Sequence, residues 1–257
     1  MIDRDTRYFI EALHRGLRVL EAFSEDRSSL SLKEIADSVE LDKSTAFRFT
    51  YTLEQLGYLE RDPESKRYRP GLKALRLGFT ALNSLEISQL ARPYLKELCD
   101  ESQETVNLAV RDGSEIVYVE RLSPHQIVNI NLQVGSRLPT YCTSIGKVLL
   151  AELDDEEVLQ LLGPGPYDAL TEHTITSYDD LLADLKRIRQ RGYAIGDEEL
   201  ALGLRSVAAP IRTANGEPTA GINVSVSSAR VSREELEVQF PPMVVRVAKR
   251  IHQALTP

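Results

Sequence analysis

Between Leu41 and Gly57 the chain reads LDKSTAFRFTYTLEQLG, and its polar residues are of the kinds that address nucleic acid. At 100° per residue, Ala46, Phe49, Leu53 and Leu56 fall on one helical stripe, a face for burial. Ser44, Arg48, Tyr51 and Gln55 collect on the opposite side, with Phe47 beside them. Hydroxyl, guanidinium and amide groups at that spacing suit phosphates and base edges. Arg48 and Gln55 are placed to address bases, Lys43 and Ser44 to meet phosphates, and Thr45 and Tyr51 complete the candidate set. A surface helix with ordinary polar residues is the bland alternative, so the neighbouring elements must decide.

Few other residues are suited to chemistry. Cys142 precedes a helix start, where a thiol pKa is lowered, but no histidine lies near it in sequence, and a buried structural cysteine is the default. Asp154, Asp155, Glu156 and Glu157 are explained as helix-start acids rather than as a catalytic carboxylate pair. Cys99 and Cys142 stand far apart and outside any CxxC motif, and the four histidines are scattered. No catalytic residue, metal site or cofactor is therefore expected.

The elements around Leu41–Gly57 favour the nucleic-acid reading. Ile10, Leu13, Leu17 and Leu20 make a helical stripe before the polar run SEDRSS. Ser31 and Glu34 form a capping box and Leu30 and Ile35 a hydrophobic staple, so a second helix starts there with Leu32, Ile35, Ala36 and Val39 on its core face. Only Glu40 and Leu41 then precede Asp42, the N-cap of a third helix, and so short a connection forces a sharp crossing, as in a helix-turn-helix. Such turns often hold Gly where Glu40 stands, which implies backbone strain or another turn geometry. Gly57 caps the third helix. Tyr58–Glu60 and KRYRP flank the turn RDPES as two short strands, a basic wing whose Lys66 and Arg67 would lie on phosphates. A solvated surface hairpin is the alternative for this wing.

From Gly71 the pattern is helical again, with Leu72, Leu75, Phe79 and Leu82 on one side. It reads as a linker over 71–86 that packs on its twin in a dimer or folds back on its own domain. Leu85–Ser102 continues as a helix interrupted near Pro93. The period then becomes alternating: strands over Thr105–Arg111 and Glu115–Leu122 flank Asp112-Gly113-Ser114, and Ile127–Val134 supplies another. Helices follow at Ile145–Leu153, Asp155–Leu162 and Tyr178–Gly192, then a hairpin of Ser206–Arg212 and Thr219–Ser227. A last helix opens on the capping box Ser232–Glu235, breaks at Pro241-Pro242 and runs to Leu255.

The 257 residues, 42% of them apolar, suffice for one large domain or for a small domain plus a medium one. No run is long and apolar enough to span a membrane and the N-terminus has no signal-peptide region, so a cytoplasmic protein is expected. Residues 1–80 hold 14 basic and 14 acidic side chains. That leaves 17 of the 31 basic and 25 of the 39 acidic residues, and the whole net charge of −8, to the rest. Within Lys43–Arg76 eight bases face four acids, a local basic patch on an acidic chain, as specific DNA binding requires.

Several motifs occur in the order known from the IclR family, the isocitrate lyase regulator type of bacterial transcription factor: RGLRVLEAF, LSLKEIADSVELDKSTAFRFTYTLEQLGYLERD, YRPGLKALRLG, YCTSIGKVLLA, GYAIGDEELALGLRSVAAPI and INVSVSSARVS. The chain resembles that family along nearly its whole length. GLRSVAAPI with NVSVSSARVSREEL is most similar to the branch governing protocatechuate, 4-hydroxybenzoate and β-ketoadipate catabolism. The resemblance implies a mainly α winged helix-turn-helix DNA-binding domain over 1–70, a linker helix over 71–86 and an α+β GAF-like effector domain over 87–257. It also implies a double-stranded DNA operator, a small organic-acid effector, and homodimers that pair into tetramers. Carried over by position, the effector pocket would include the backbone at Ser144 and Ile145 together with Asp197, Ser206, Asn223 and Ser225. The loop before Lys147 reads TSIG where Gly- or Ala-rich versions are known in the family.

An acidic domain repels an anionic ligand unless local groups compensate. A helix starting at Thr143-Ser144 would offer N–H groups and a hydroxyl, and Ser206, Ser225 and Asn223 further polar groups from strands. Arg205 is a candidate carboxylate partner, although strand alternation puts it on the face opposite Ser206. Asp197 with Glu198-Glu199 is equally a solvated face. Two competing readings of the α+β domain remain at this point, an enzyme and a ligand-free adaptor.

Overall fold

A computed structural model of the chain describes residues 8–24, 27–83, 85–124, 132–213, 215–216 and 218–255. The chain forms two compact units, Met1–Ser84 and Leu85–Pro257.

In the first unit, helices α1 (Glu11–Glu21), α2 (Leu32–Ser38) and α3 (Lys43–Gln55) precede a two-stranded antiparallel wing, β1 (Leu59–Arg61) and β2 (Tyr68–Pro70), and then α4 (Leu72–Asn83). The capping box at Ser31 and Glu34 forms, and its staple residues Leu30 and Ile35 enter a core with Val19, Val39, Leu59 and Tyr68. Leu30 also bridges to Tyr68, which ties the segment before α2 to the wing. The α2–α3 turn closes with Glu40 at φ 56°, the left-handed conformation that Gly would adopt with less strain. On α3, Ala46 is buried and Phe49 and Leu53 pack against the core, but Leu56 is exposed and Thr50 is buried in its stead. The stripe of α1 also differs from its sequence pattern: Ile10, Leu13 and Leu17 lie 65%, 58% and 50% exposed, and Val19 is the buried residue. The base of α4 is fastened to this unit by Gly71 N–H donating to the Tyr58 carbonyl and by Lys73 Nζ donating to that of Leu56. Leu72, Leu75 and Leu77 further along α4 are exposed.

The second unit begins with α5 (Glu86–Ser102) and contains a six-stranded antiparallel sheet in the order β5-β4-β3-β8-β7-β6. Its strands are β3 (Thr105–Asp112), β4 (Glu115–Leu122), β5 (Arg137–Pro139), β6 (Ala194–Asp197), β7 (Leu204–Arg212) and β8 (Pro218–Ser227). Helices α6 (Ser144–Leu150), α7 (Asp155–Leu162) and α8 (Tyr178–Arg191) lie between β5 and β6 in sequence, and α9 (Arg233–Leu255) closes the chain. Most of the strand expected over 127–134 lies outside the described residues. Beyond the expected elements, β5 and β6 form, each too short for a period to show in sequence. The helices α5 and α9 run through Pro93 and through Pro241-Pro242 without ending. In α9 this follows from burial: Leu236, Phe240, Pro241, Val244, Val247 and Ile251 form one apolar face, and the helix packs on β7.

On the other face of the sheet α6 sits unusually close. A Cβ on Gly221 of β8 would lie 2.8 Å from Ile145 Cγ2, and one on Gly146 would lie 2.3 Å from the Thr140 carbonyl oxygen. Gly16, mid-way along α1, has only the Phe49 ring near it, at 3.6 Å. Gly146→Ala is therefore expected to destabilise the protein by about 1–3 kcal/mol through overpacking, and Gly16→Ala to stabilise it by up to about 1 kcal/mol through helix propensity. Urea unfolding of the two variants measures both signs.

Candidate functional site

The first candidate surface is the outer face of α3. Asp42 caps the helix by accepting from Thr45 N–H at 2.9 Å, and these bonds hold its carboxyl below the usual range. Lys43, Ser44, Phe47, Arg48, Tyr51 and Gln55 are exposed, while Thr45 is half-buried. The Phe47 and Tyr51 rings lie 6.1 Å apart along this face. Among the described residues no carboxylate pairs with Lys43 or Arg48. The wing differs from the expected picture. Arg67 donates to the Ser29 carbonyl at 2.7 Å and pairs with Glu34 at 2.9 Å, so its guanidinium staples the wing to α2. Bonds from Ser31 and Arg67 hold the Glu34 carboxyl down at about 2. Lys66 sits at the wing tip with φ 59°, its ammonium folded onto the Pro63 carbonyl.

The second candidate is a cavity of about 500 Å3 between the sheet and α6, part of it open to solvent. Its floor is two rows of polar residues running across the strands. One is Arg121–Asn107–Asn223, paired in register from β4 through β3 to β8. The other is Ser225–Ser206–Gly196, from β8 through β7 to β6. Arg121 donates to Asn107 Oδ1 at 3.1 Å, and Asn107 Nδ2 donates to Asn223 Oδ1 at 2.8 Å. Ser144 at the start of α6 joins the rows from above, accepting from Ser206 Oγ at 2.8 Å and from Asn223 Nδ2 at 3.3 Å. Tyr118, Cys142, Leu132, Leu200 and Leu204 supply apolar walls. Burial pushes the Cys142 thiol up to about 12, so it stays protonated and is no nucleophile at neutral pH. Arg121 is half-buried, and among the described residues no carboxylate neutralises it.

Of the residues singled out in sequence, Ser144, Ser206, Asn223 and Ser225 converge on this cavity, and Thr143 lines it. The Thr143 hydroxyl is already used, donating to the Pro139 carbonyl and accepting from Gly146 N–H. Ile145 turns into the core against Gly221. Asp197 and Arg205 do not enter, because strand alternation sends them to the other face. There Arg205 Nε meets Asp197 at 2.6 Å and the guanidinium donates to the Val231 carbonyl, a clamp on the segment before α9.

Sequence reasoning missed Arg121, Asn107 and Tyr118. In β4 simple alternation puts Tyr118 and Glu120 on one face and Arg121 on the other. The register skips Val119, however: Leu108 pairs with Glu120 and Ala109 with Tyr118. This bulge brings Tyr118 and Arg121 to the same face, while Glu120 turns to Ser88 and Arg92 of α5. It also missed Lys147, whose buried ammonium is held by Asp184 of α8 at 2.8 Å and by Glu199 at 2.6 Å. A lysine inside the apolar helix SIGKVLL was the available signal.

A winged helix-turn-helix whose polar helix face is exposed, followed by an α+β domain with a polar cavity, defines a DNA-binding regulator with a ligand-binding domain. The family model for the IclR helix-turn-helix domain matches residues 12–63 and that for the C-terminal domain of IclR-type bacterial transcriptional regulators matches residues 79–253. The chain belongs to the IclR family of transcriptional regulators. It is 36% identical over 247 residues to the Pca regulon regulatory protein of Pseudomonas putida, covering 95% of this chain and 84% of that one. It is 34% identical over 244 residues to the transcriptional repressor IclR of Escherichia coli K12, covering 94% and 89%. The crystal structure of an IclR homolog complexed with 4-hydroxybenzoate, from Microbacterium hydrocarbonoxydans, superposes with a TM-score of 0.79 at 27% identity, covering 95% and 99%. These curated relatives are regulators and not enzymes, and no described helix is long and apolar enough to cross a membrane.

Lys147→Met leaves Glu199 buried without its cation and Asp184 with only the more distant Arg187. It is expected to cost about 3–5 kcal/mol in urea unfolding, with part recovered when Glu199→Gln is added.

Proposed function

We propose that this regulator senses a small organic acid of aromatic catabolism in the cavity beneath α6, and that the acid sets how it holds its operator. The observation that carries the reading is Arg121: a half-buried guanidinium, unneutralised among the described residues, at one end of a polar floor in an otherwise acidic domain. A carboxylate docked there supplies the missing charge and accepts two N–H bonds from one planar group. The hydroxyls of Ser206 and Ser225 and the amide of Asn223 line the path beyond. A cavity of that size favours a small acid. The 4-hydroxybenzoate bound by the Microbacterium homolog and the likeness to the Pca regulatory protein support the aromatic class.

On DNA, Arg48 and Gln55 address base edges from α3, with Tyr51 and Phe47 beside them and Lys43, Ser44 and Thr45 at the phosphates. The wing contributes Lys66, whose side chain exchanges the Pro63 carbonyl for a phosphate. Arg67 holds the wing in place through Glu34 and serves phosphate contact indirectly. The exposed apolar residues of α1 and α4, Ile10, Leu13, Leu17, Leu72, Leu75 and Leu77, support a homodimer built on these helices. Two recognition helices in a dimer read half-sites about one helical turn, or a multiple, apart, and the bound acid changes their spacing. Pairing of such dimers into a tetramer is the further assembly that the family likeness suggests.

Two outcomes are expected. Arg121→Met weakens binding of 4-hydroxybenzoate and protocatechuate at least tenfold in calorimetry, with the melting temperature of the free protein little changed; unaltered affinity refutes the anion site. In operator binding, Lys66→Ala lowers the slope of log affinity against log salt by about 0.9, whereas Arg48→Ala mainly relaxes sequence choice. A slope that survives removal of both Lys66 and Arg67 rules the wing out as a contact.

A further inference from the structure

At the end of the cavity away from Arg121 lies Glu199, two residues beyond β6 and only 6% exposed. Its Oε1 accepts from Lys147 Nζ at 2.6 Å. Its Oε2 is buried and has no hydrogen-bond partner, one of two such side-chain atoms among the described residues. The other polar side chains of the floor are engaged: Ser206 and Asn223 with Ser144, and Asn107 with Arg121, Asn223 and Ser225. Burial raises the Glu199 pKa and the Lys147 ammonium opposes that rise. An ionised carboxylate oxygen has no proton to give, and leaving a buried acceptor unmatched is unfavourable. The vacancy is therefore one for a donor.

We infer that Glu199 accepts a hydrogen bond from a hydroxyl group of the effector, so that the cavity selects a hydroxy acid by its two ends, the carboxylate at Arg121 and the hydroxyl at Glu199. This rests on the effector reading of the cavity and adds the second ligand group to it. The separation fits. Arg121 stands on β4 and Glu199 follows β6, on opposite sides of the cavity that both line, whose roughly 500 Å3 correspond to a span on the order of 10 Å. An aromatic ring with a carboxylate and a hydroxyl at opposite positions, plus one hydrogen bond at each end, fills such a gap. A keto acid or an unsubstituted benzoate fills the Arg121 end and leaves the Glu199 oxygen unmatched. Lys147 is the positioning residue: its ammonium holds one carboxylate oxygen and so aims the other.

The test is calorimetric titration of the full-length protein with 4-hydroxybenzoate, benzoate and 4-fluorobenzoate, three acids of nearly one shape of which only the first carries a donor. The wild-type protein is expected to bind 4-hydroxybenzoate about tenfold or more tightly than either of the others, as sites built around a ligand hydroxyl do. In Glu199→Met the ratio of 4-hydroxybenzoate to benzoate affinity falls to within about threefold, whatever change the two acids share; a merely structural role for Glu199 weakens both alike and leaves the ratio unchanged. Comparable wild-type affinity for all three acids overturns the inference and leaves the effector reading standing. Absence of binding of all three acids to the wild-type protein at millimolar concentrations overturns both. Should Glu199→Met fail to fold, the wild-type comparison still decides.

Discussion

A single buried ammonium holds the sensing domain in register. Lys147 projects from α6, a helix otherwise committed to the apolar core, and finds Asp184 on α8 and Glu199 in the loop after β6. Three segments distant in sequence are thereby fixed to one point. Removing a charge from water is unfavourable by several kcal/mol and is offset only where the geometry and the remaining hydrogen bonds are good, so the contact tolerates little displacement. Because α6 is so constrained, Ser144 at its first turn stays over the strand residues Ser206 and Asn223. The close approach at Gly221 acts in the same direction, since a Cβ there would press on Ile145 and lift the helix off the sheet, and the one at Gly146 seats the first turn of α6 against Thr140.

The electrostatics of the two units follow different logic. The winged unit is electrically balanced overall, and its basic side chains are concentrated where α3 and the wing face outward. Several of these cations serve the fold: Arg67 ties β2 to α2, Arg69 pairs with Glu60, and Lys73 closes the C-terminus of α3. Lys43 and Arg48, exposed and in no ion pair among the described residues, stand on the helix face itself. In the second unit carboxylates are in excess, and Arg121 is a half-buried guanidinium that no described carboxylate neutralises. On the proposed reading, this local charge overrides the average and lets an acidic domain receive an acid.

Much of this was legible in the chain. The capping boxes at Ser31 and Ser232, the Asp42 cap, the polar face of α3 and the hairpin at Gly113 all depend on local chemistry, which short stretches of sequence record faithfully. What escaped depended on distant partners. The alternation rule placed Arg205 opposite Ser206 correctly, yet nothing local showed that Asp197 would be its partner. The apolar stripe of α1 was legible as a helix, but a pattern cannot say whether its face meets its own core or another chain. The two prolines of α9 read as a break because propensity was weighed without the sheet that the helix covers. Arg121 escaped for the subtlest reason: its face is set by one unpaired residue in the strand before it.

That unpaired residue, Val119, bears on the charge of the receptor end. In an unbulged β4 the side chain presented beside Tyr118 would be Glu120, and Arg121 would turn toward α5. Loss of Val119 itself would remove the bulge and leave Arg121 facing inward, so it is the pairing of the strand at its present length, together with its side chains, that sets the charge presented at this end.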